Sequence, residues 1–223
     1  MARSASICKG KLSPGVQGMR AEPAEMILAM AGRQPQEEPS SVTAHLIAQA
    51  KAGDTRAFER LMMRYERHIY RLALRLLGHQ EDAQDATQEV FLRLYKHLSR
   101  LDEKRELVPW LYRVAVNVCH DLVRRRQRNT MVSLGDVDVD ALTESMKTEW
   151  RAELAQQRRI LAEGLKTLSQ NERAAVVLRD IEGLSTEDVA RILGSSTSTV
   201  RSHLSRARVK LKRFVDRVRE GRT

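Results

Sequence analysis

Apolar residues recur along most of this chain at alternating intervals of three and four, the spacing that gives an α-helix one buried face. In the first half, Asp54 is a typical N-cap for one such segment, and Gly78 is a typical C-terminal stop. Pro109 stands near the first position of a later helix, where its missing N–H costs nothing, after a polar loop over residues 99–107. The predicted helices cover residues 43–53, 54–78, 80–98 and 109–128.

The second half begins a new apolar series at Trp150, after an acidic stretch that has no core pattern. Ser169 and Glu172 have the spacing of a capping box, which predicts a helix from Gln170 to Glu182. We therefore expect an all-α fold of two small helical domains joined by a flexible linker. The predicted segments are a disordered N-terminal tail at 1–41, a first domain at 42–128, an acidic linker at 129–148, a second domain at 149–218 and a tail at 219–223.

Residues 184–218 predict two helices joined by a tight turn, the pattern of a DNA-binding helix-turn-helix. Ser185 is the N-cap of the short first helix, with Asp188 in a variant of the capping box, and Gly194 ends it. The second helix buries an apolar stripe that starts at Val200. Its opposite face carries hydroxyl and guanidinium groups suited to base edges and phosphates, namely Ser198, Arg201, Ser202, Ser205, Arg206, Arg208 and Lys212. An ordinary helical hairpin with a solvated basic face would have the same pattern.

The charge balance points to the class of partner. The 39 Lys and Arg residues exceed the 29 Asp and Glu residues, which leaves a formal charge of +10 and favours nucleic acid first and an anionic membrane surface second. Cys8 and Cys119 lie far apart without metal-ligand spacing, so we expect no disulfide, metal or cofactor, and a reducing cytoplasm. The sequence shows no catalytic Ser/His/Asp set, no Gly-rich phosphate loop and no apolar run for membrane insertion, and it does not indicate an enzyme.

The third predicted helix has a polar, largely acidic outer face. Its members are Asp82, Asp85, Gln88, Glu89 and Arg93. Phe91 and Tyr95 are expected beside this face rather than in the core, so that an apolar anchor flanked by carboxylates would offer a docking surface for a basic partner helix. A merely solvated face is the alternative.

The fourth predicted helix carries a second polar stripe at helical spacing. It consists of Trp110, Arg113, Asn117, Asp121, Arg124 and Arg128. Asn is a poor helix-interior residue, so Asn117 indicates a hydrogen-bonding duty rather than propensity. Arginines at 124–126 and 128 repel one another unless an anion or an acidic partner relieves them, whereas Trp110 is interpreted as a core or rim aromatic.

Three segments together resemble the sigma-70 family of transcription initiation factors, and specifically its small extracytoplasmic-function (ECF) group. They are DAQDATQEVFLRLYKHL at 82–98, PWLYRVAVNVCHDLVRRR at 109–126, and the stretch at 168–214 that contains the helix-turn-helix. Their order also matches, and the resemblance covers residues 43–218. The segment that separates the two domains in larger sigma factors is absent, which is the arrangement of the ECF group.

The resemblance implies a role for each of the three surfaces. In this family the first segment docks on a basic coiled coil of the largest core RNA polymerase subunits, which implies core binding by Asp82, Asp85, Gln88, Glu89 and Phe91. The loop at 99–107 and the next helix look like the part that captures a flipped base of the minus-ten element, with Arg113, Asn117, Asp121, Arg124 and Arg125 as the matching residues. The helix-turn-helix looks like the reader of the minus-35 element, through Thr197, Ser198, Arg201, Ser202, Ser205 and Arg206.

The function implied by the resemblance is promoter recognition without catalysis. The partners would be core RNA polymerase, promoter DNA and an anti-sigma protein, which in this group is often membrane-anchored. Two alternatives remain at this point: a two-domain helix-turn-helix regulator that binds duplex DNA alone, and a nucleic-acid-processing enzyme.

Overall fold

A computed structural model describes residues 40–103, 105–129 and 149–221, and the secondary structure of these ranges is helical. The predicted tail up to residue 39 and the linker from residue 130 to 148 lie outside the described residues. The helices are α1 Ser40–Lys51, α2 Thr55–Leu77, α3 Gln80–His97, α4 Leu107–Asn129, α5 Glu149–Lys166, α6 Gln170–Val176, α7 Thr186–Leu193 and α8 Thr197–Arg219. We refer to α1–α4 as the N-terminal unit and to α5–α8 as the C-terminal unit.

The helix ends follow the capping residues that the sequence predicts. The Asp54 side chain accepts hydrogen bonds from the backbone N–H groups of Arg56 and Ala57, at 2.9 and 3.3 Å, and so satisfies donors that the first turn of α2 leaves free. In the C-terminal unit, Ser169 and Glu172 form the complete capping box at the start of α6. These local signals fix where α2 and α6 start.

Two predicted boundaries differ from the structure at the start of the N-terminal unit's helices. Helix α1 begins at Ser40, inside the segment expected to be a tail, and α4 begins at Leu107, two residues before Pro109. Proline is tolerated at this third position of α4 because the first four N–H groups of a helix have no partner within it. A 3₁₀ turn, Leu98–Arg100, occupies the start of the predicted polar loop.

The helix predicted from Gln170 to Glu182 is continuous but not regular. After α6 it continues as a π turn, Val177–Ile181, in which the N–H of Glu182 donates to the carbonyl of Val177 over 2.9 Å. A π turn inserts an extra residue and therefore changes the direction of the side chains that follow it. Here it directs Glu182 away from the solvent and towards the N-terminal unit.

The N-terminal unit is built around α2. This helix packs against α1, α3 and α4, and its Leu61 and Leu72 are fully buried. Cys119 on α4 is 1% exposed, and burial, with a smaller effect of the Asp82 charge, raises the pKa of its thiol to about 12. The apolar residues that recur at intervals of three and four along these helices thus form the core of the unit.

In the C-terminal unit, α5 and α8 approach closely at a glycine. A Cβ atom on Gly164 would lie 3.1 Å from Leu211 Cδ2 and 3.2 Å from Phe214 Cδ1, so the contact leaves no room for a larger side chain. Helix α8 also packs on α6 and α7, and its buried Val200 and Leu211 belong to the same core.

The two units are in contact, and their buried apolar side chains form one contiguous cluster. Helix α7 packs on α4, while α5, α6 and the π turn contact α2. The Arg173 guanidinium crosses the boundary: it donates to the Leu76 carbonyl of α2 over 2.7 Å and to the Leu165 carbonyl of its own unit over 2.8 Å. The two domains expected to be joined by a flexible linker are therefore in contact with each other.

Substitution of Gly164 tests the packing of α5 on α8. We expect Gly164→Val to lower the free energy of unfolding by about 1–3 kcal/mol, because its added methyl groups force Leu211 and Phe214 to move. Urea unfolding followed by circular dichroism measures the effect. The neighbouring Glu163→Val places the same side chain at an exposed position of α5 and serves as the control. Equal losses for the two variants would show that the close approach is unimportant.

Candidate nucleic-acid interface

The polar face of α8 is exposed as the sequence predicted. Ser198, Arg201, Ser202, Ser205 and Arg206 are exposed, and Thr197 is half-buried at the start of the helix. Ser196 is the N-cap, and its hydroxyl accepts a hydrogen bond from the N–H of Thr199 over 3.1 Å. The first three turns of α8 therefore present hydroxyl and guanidinium groups to the solvent, where base edges and phosphates could be reached.

Two ion pairs fix the orientation of α8 in its unit. Arg208 forms a bidentate pair with Asp180 of the π turn, at 2.8 and 3.2 Å, and this partner raises the pKa of the Arg208 guanidinium. Lys210 donates to Glu172 of α6 over 2.6 Å. Arg208 was predicted on the nucleic-acid face, and the structure shows that this side chain pairs with Asp180 and so holds α8 against the π turn.

The connection between α7 and α8 has helix-turn-helix geometry. Gly194 ends α7 with φ 60°, in the left-handed region where a residue without Cβ is unstrained. Ala190 and Val200, on either side of the turn, are buried where the helices cross. At the start of α7 the Ser185 hydroxyl accepts from the N–H of Asp188 over 3.0 Å, while the Asp188 carboxylate pairs with Arg191.

A second basic surface lies on α4. Arg113, Asn117, Arg124 and Arg125 are exposed, and Asp121 pairs with Arg124 over 3.3 Å. The structure thus brings all five predicted residues of this stripe to one side of the helix. Asn117 has its amide directed to the solvent side rather than into the core, consistent with a hydrogen-bonding duty.

A cavity of about 650 Å³ opens beside the start of this stripe. Trp110 and Arg113 line it from α4, His97 lines it from the end of α3, and Arg100 lines it from the 3₁₀ turn. The rings of His97 and Trp110 are 6.0 Å apart and tilted by 48°, so the cavity is lined by two aromatic rings as well as by the guanidinium groups of Arg100 and Arg113. Arg100 belongs to the loop at 99–107 that the resemblance assigned to this site, whereas sequence reasoning missed His97, which precedes the loop and lies outside the helical stripe. The wall opposite α4 is provided by Asp188, Arg191 and Ile192 of α7.

The outer face of α3 is acidic, with one predicted member turned inward. Asp85 and Gln88 are exposed, and Glu89 pairs with Arg93 over 2.8 Å. Asp82 has a 14% exposed side chain and pairs with Arg126 of α4 over 2.7 Å. Burial raises the pKa of Asp82, and Arg126 opposes this shift. Asp82 therefore ties α3 to α4.

The expectation that Phe91 lies beside the acidic face is wrong. Phe91 is 3% exposed and belongs to the core, because its helical position turns it towards the inward stripe of α3. The exposed apolar groups of α3 are instead Leu92 and Tyr95, at 46% and 60% exposure. The Tyr95 ring meets Phe58 of α2 edge-on, with ring centres 5.2 Å apart. An aromatic beside the carboxylates thus exists, but it is Tyr95.

A buried carboxylate joins the two units. Glu182 has a 4% exposed side chain, and its Oε1 lies 2.6 Å from Arg75 Nη1 of α2. Tyr112 of α4 donates to Glu182 Oε2 over 3.0 Å, and His68 Nε2 lies 3.1 Å from the same oxygen and also hydrogen bonds to the Tyr112 hydroxyl. Burial alone would raise the pKa of Glu182, but His68, Arg75 and Tyr112 together hold it below its usual value. We call these four residues the Glu182 cluster.

No pattern in the sequence indicates the Glu182 cluster. Its two halves are 107 residues apart at Arg75 and Glu182, and Glu182 falls at a helix end where a charged residue is ordinarily solvated. The same described ranges contain no group of three or more His, Cys, Asp or Glu side chains placed to hold a metal ion. None of their helices has the length and apolar character required to span a bilayer.

Known proteins share both halves of this architecture. The family models "Sigma-70 region 2" and "Sigma-70, region 4" match residues 61–129 and 158–211. The ECF RNA polymerase sigma factor SigM of Mycobacterium tuberculosis is 35% identical over 80% of this chain and 87% of its own length. The chain belongs to the ECF group of the sigma-70 family. It is an RNA polymerase sigma factor, acting in transcription initiation with core polymerase and promoter DNA, and not a stand-alone regulator.

Further relatives agree with this membership. The ECF sigma factor SigE of Mycolicibacterium smegmatis is 35% identical over 82% of this chain and 70% of its own, and the sigma-E factor of Escherichia coli is 30% identical over 73% and 88%. Among solved structures, CnrH in complex with the cytosolic domain of CnrY has a TM-score of 0.57 at 28% identity, covering 78% of this chain and 97% of that one. RpoE of Bartonella quintana, solved with the anti-sigma factor NepR, shares the fold with a TM-score of 0.58 at 23% identity over 71% and 96%.

The pair between Glu172 and Lys210 predicts an acid-dependent stability of region 4. Burial raises the pKa of Glu172, but the hydrogen bonds from Lys210 and Ser169 lower this pKa by more than burial raises it. The pKa in the folded protein therefore lies below the pKa in the unfolded chain. The stabilisation is therefore present above the unfolded pKa of about 4.3 and is lost as pH falls through the folded pKa.

We expect Glu172→Gln to lower the free energy of unfolding at pH 7 by about 1–2 kcal/mol, since Lys210 is partly exposed. The difference from the wild type should shrink at pH 3–4. Urea titrations at both pH values measure it, with Glu163→Gln, which removes an exposed charge on α5, as the control. A difference that is unchanged by acid would contradict this assignment.

Proposed function

We propose that this sigma factor divides promoter recognition between its two basic surfaces and attaches to polymerase through a third, acidic one. The observation that carries the proposal is their separation: the exposed face of α8, the stripe of α4 and the exposed part of α3 lie on different helices. A single ligand would not need three separate surfaces. Three ligands, namely duplex DNA, an unpaired strand and a protein surface, would each need one.

The exposed face of α8 is the reader of the minus-35 duplex in this proposal. An α-helix fits the major groove, and Arg201 and Arg206 can donate to guanine or phosphate while Ser198, Ser202 and Ser205 hydrogen bond to either. Thr197, at the start of the helix, is near the N-terminal residues that contact base edges in helix-turn-helix proteins. The ion pairs of Arg208 and Lys210 support this role, because they hold the face rigidly on its unit.

The stripe of α4 is the minus-ten strand site. Arginines 113, 124 and 125 supply a basic path along which a phosphodiester backbone could run, and Asn117 offers both a donor and an acceptor to a base edge. The neighbouring cavity has the aromatic wall that an unstacked base prefers. Unstacking costs a few kcal/mol, and contacts available only to the unpaired strand offset part of that cost while they read sequence. Melting thus follows from binding, and no catalytic step is required.

The acidic face of α3 is the polymerase contact. Asp85, Gln88 and Glu89 are the accessible members of the predicted set, with Tyr95 and Leu92 as the adjoining apolar groups. Carboxylates around an exposed aromatic match a basic partner helix in charge and in chemistry. In this proposal Asp82 and Phe91 support the surface from behind without touching the polymerase.

An anti-sigma protein is the remaining proposed partner. The structural neighbour CnrH was solved in a complex with CnrY, and at 28% identity the likeness extends beyond the general fold. A protein that covers the acidic face of α3 or the face of α8 would prevent polymerase or promoter binding by direct occlusion. We infer that the chain acts in the cytoplasm, because that is where its polymerase and promoters are.

Charge reversal on α3 tests the polymerase contact. We expect Asp85→Lys combined with Glu89→Lys to abolish copurification with core RNA polymerase while the helical circular dichroism spectrum stays unchanged, because both carboxylates are on the outer face. The matched control is Glu59→Lys with Glu66→Lys, two equally acidic and exposed positions on α2. Undiminished copurification of the α3 variant, or equal loss in the control, would remove the assignment.

Two alanine substitutions separate the DNA sites. Holoenzyme first selects a promoter from a random library by transcription, and that promoter is then footprinted. Asn117→Ala should reduce open-complex formation several-fold with little change in duplex binding, since its amide would contact only an unpaired base. Arg201→Ala should weaken duplex binding by about 1–3 kcal/mol if it reads a base. If both variants lost duplex binding and open-complex formation to the same extent, the assignment of these two steps to separate surfaces would be contradicted.

A further inference from the structure

One end of the surface that would bind the minus-ten strand, the cavity beside Trp110 and Arg113, lies at the boundary between the two units, whereas Asn117, Arg124 and Arg125 are exposed. Asp188, Arg191 and Ile192 of α7 form the wall of the cavity opposite Trp110 and Arg113. Because α7 belongs to region 4 and the rest of the cavity to region 2, moving the two units apart would remove one wall of the cavity and widen it for an unpaired strand. The first helix of the helix-turn-helix thus narrows this end of the strand site.

The face of α8 is not covered in the same arrangement. Arg201, Ser202, Ser205 and Arg206 are exposed although α7, the helix before them, is docked on α4. The docked arrangement is therefore selective: it hinders one DNA site and leaves the other open.

The Glu182 cluster holds the units in this arrangement. Its carboxylate comes from region 4, whereas Arg75, His68 and Tyr112 come from α2 and α4 of region 2. The π turn before Glu182 aims this carboxylate across the boundary, and Arg173 adds a second crossing hydrogen bond to the end of α2. Removing one member of such a buried charged set leaves the others desolvated without a partner, which favours separation.

We propose that the Glu182 cluster is an interdomain latch that closes the sigma factor over its own minus-ten strand site while leaving the minus-35 reader exposed. The inference rests on the proposed roles of α4 and α8. Opening returns Glu182, Arg75 and His68 to water, so part of the cost of breaking the latch is recovered by solvation. A partner that binds only the separated units, as core polymerase would, then shifts the population by its differential affinity.

Variants on both sides of the boundary test the latch in the full-length chain. Glu182→Gln removes the carboxylate charge from region 4, and Arg75→Gln removes its partner from region 2. Each should shift the closed-to-open ratio by about tenfold or more, and the double variant should add little, because both break one set of contacts. Glu163→Gln, an equal loss of charge on the exposed side of α5, should leave the ratio unchanged.

The ratio is measured by energy transfer between dyes at Arg60→Cys and Arg213→Cys, two exposed positions on α2 and α8. Cys8→Ser removes one native thiol, and Cys119, at 1% exposure, is not labelled in the folded chain. We expect the closed wild type to show high transfer and both latch variants to show a marked fall. A fall for only one of them would indicate local damage rather than a latch. Transfer that is equal in wild type and variants would overturn the proposal.

Accessibility of the strand site is measured separately, in a Trp150→Phe background, by acrylamide quenching of Trp110 fluorescence. Quenching should rise in the latch variants, and unchanged quenching in an opened chain would refute the cover by α7. Binding of a random single-stranded 12-mer pool should strengthen by up to about tenfold in the same variants, while binding of a random duplex pool changes less than about twofold. If the chain opens and Trp110 becomes accessible but single strands do not bind, the latch stands and the proposed role of α4 fails.

Discussion

A carboxylate that is nearly excluded from water must be accompanied by cations or donors, and Glu182 sets this requirement for the whole chain. Arg75, His68 and Tyr112 meet it from the other unit, so one acidic side chain adds a specific set of polar contacts to the apolar packing between the two helical bundles. The π turn before Glu182 directs its carboxylate to these partners, and the packing of α7 on α4 brings the two units close enough for the contacts to form. Apolar packing alone would leave the relative position of the units less sharply defined.

Arginines on α4 and α8 have two roles, which differ in the partner of the side chain rather than in its exposure. Arg208 and Arg126 are bound to Asp180 and Asp82, and these pairs position helices. Arg113 and Arg201 extend into solvent on the same helices and remain accessible to DNA. The structural arginines are thus neutralised by neighbouring carboxylates, whereas the exposed ones contribute positive charge to the faces proposed to bind DNA.

Features that depend on neighbouring residues could be predicted from the sequence. Asp54 and Gly194 mark helix ends because their effects act within one turn, and the face of α8 follows from helical spacing alone. Phe91 was misplaced because a spacing pattern assigns a stripe only to within about one residue position, and the partner helices α2 and α4 decide which side is buried. Glu182 was missed for a stronger reason. Its partners are distant in sequence, and the π turn that directs it has no local composition signal.

The environment of Cys119 has a consequence for the chemistry of the chain under oxidative stress. A thiol with a pKa of about 12 is almost wholly protonated at neutral pH, and the thiolate is the form that attacks peroxides and disulfides. At 1% exposure it is also shielded from reagents in solution. Cys119 is consequently inert while α3 and α4 are packed together. Its oxidation would mark molecules whose N-terminal unit has already unfolded, rather than switch the activity of intact ones.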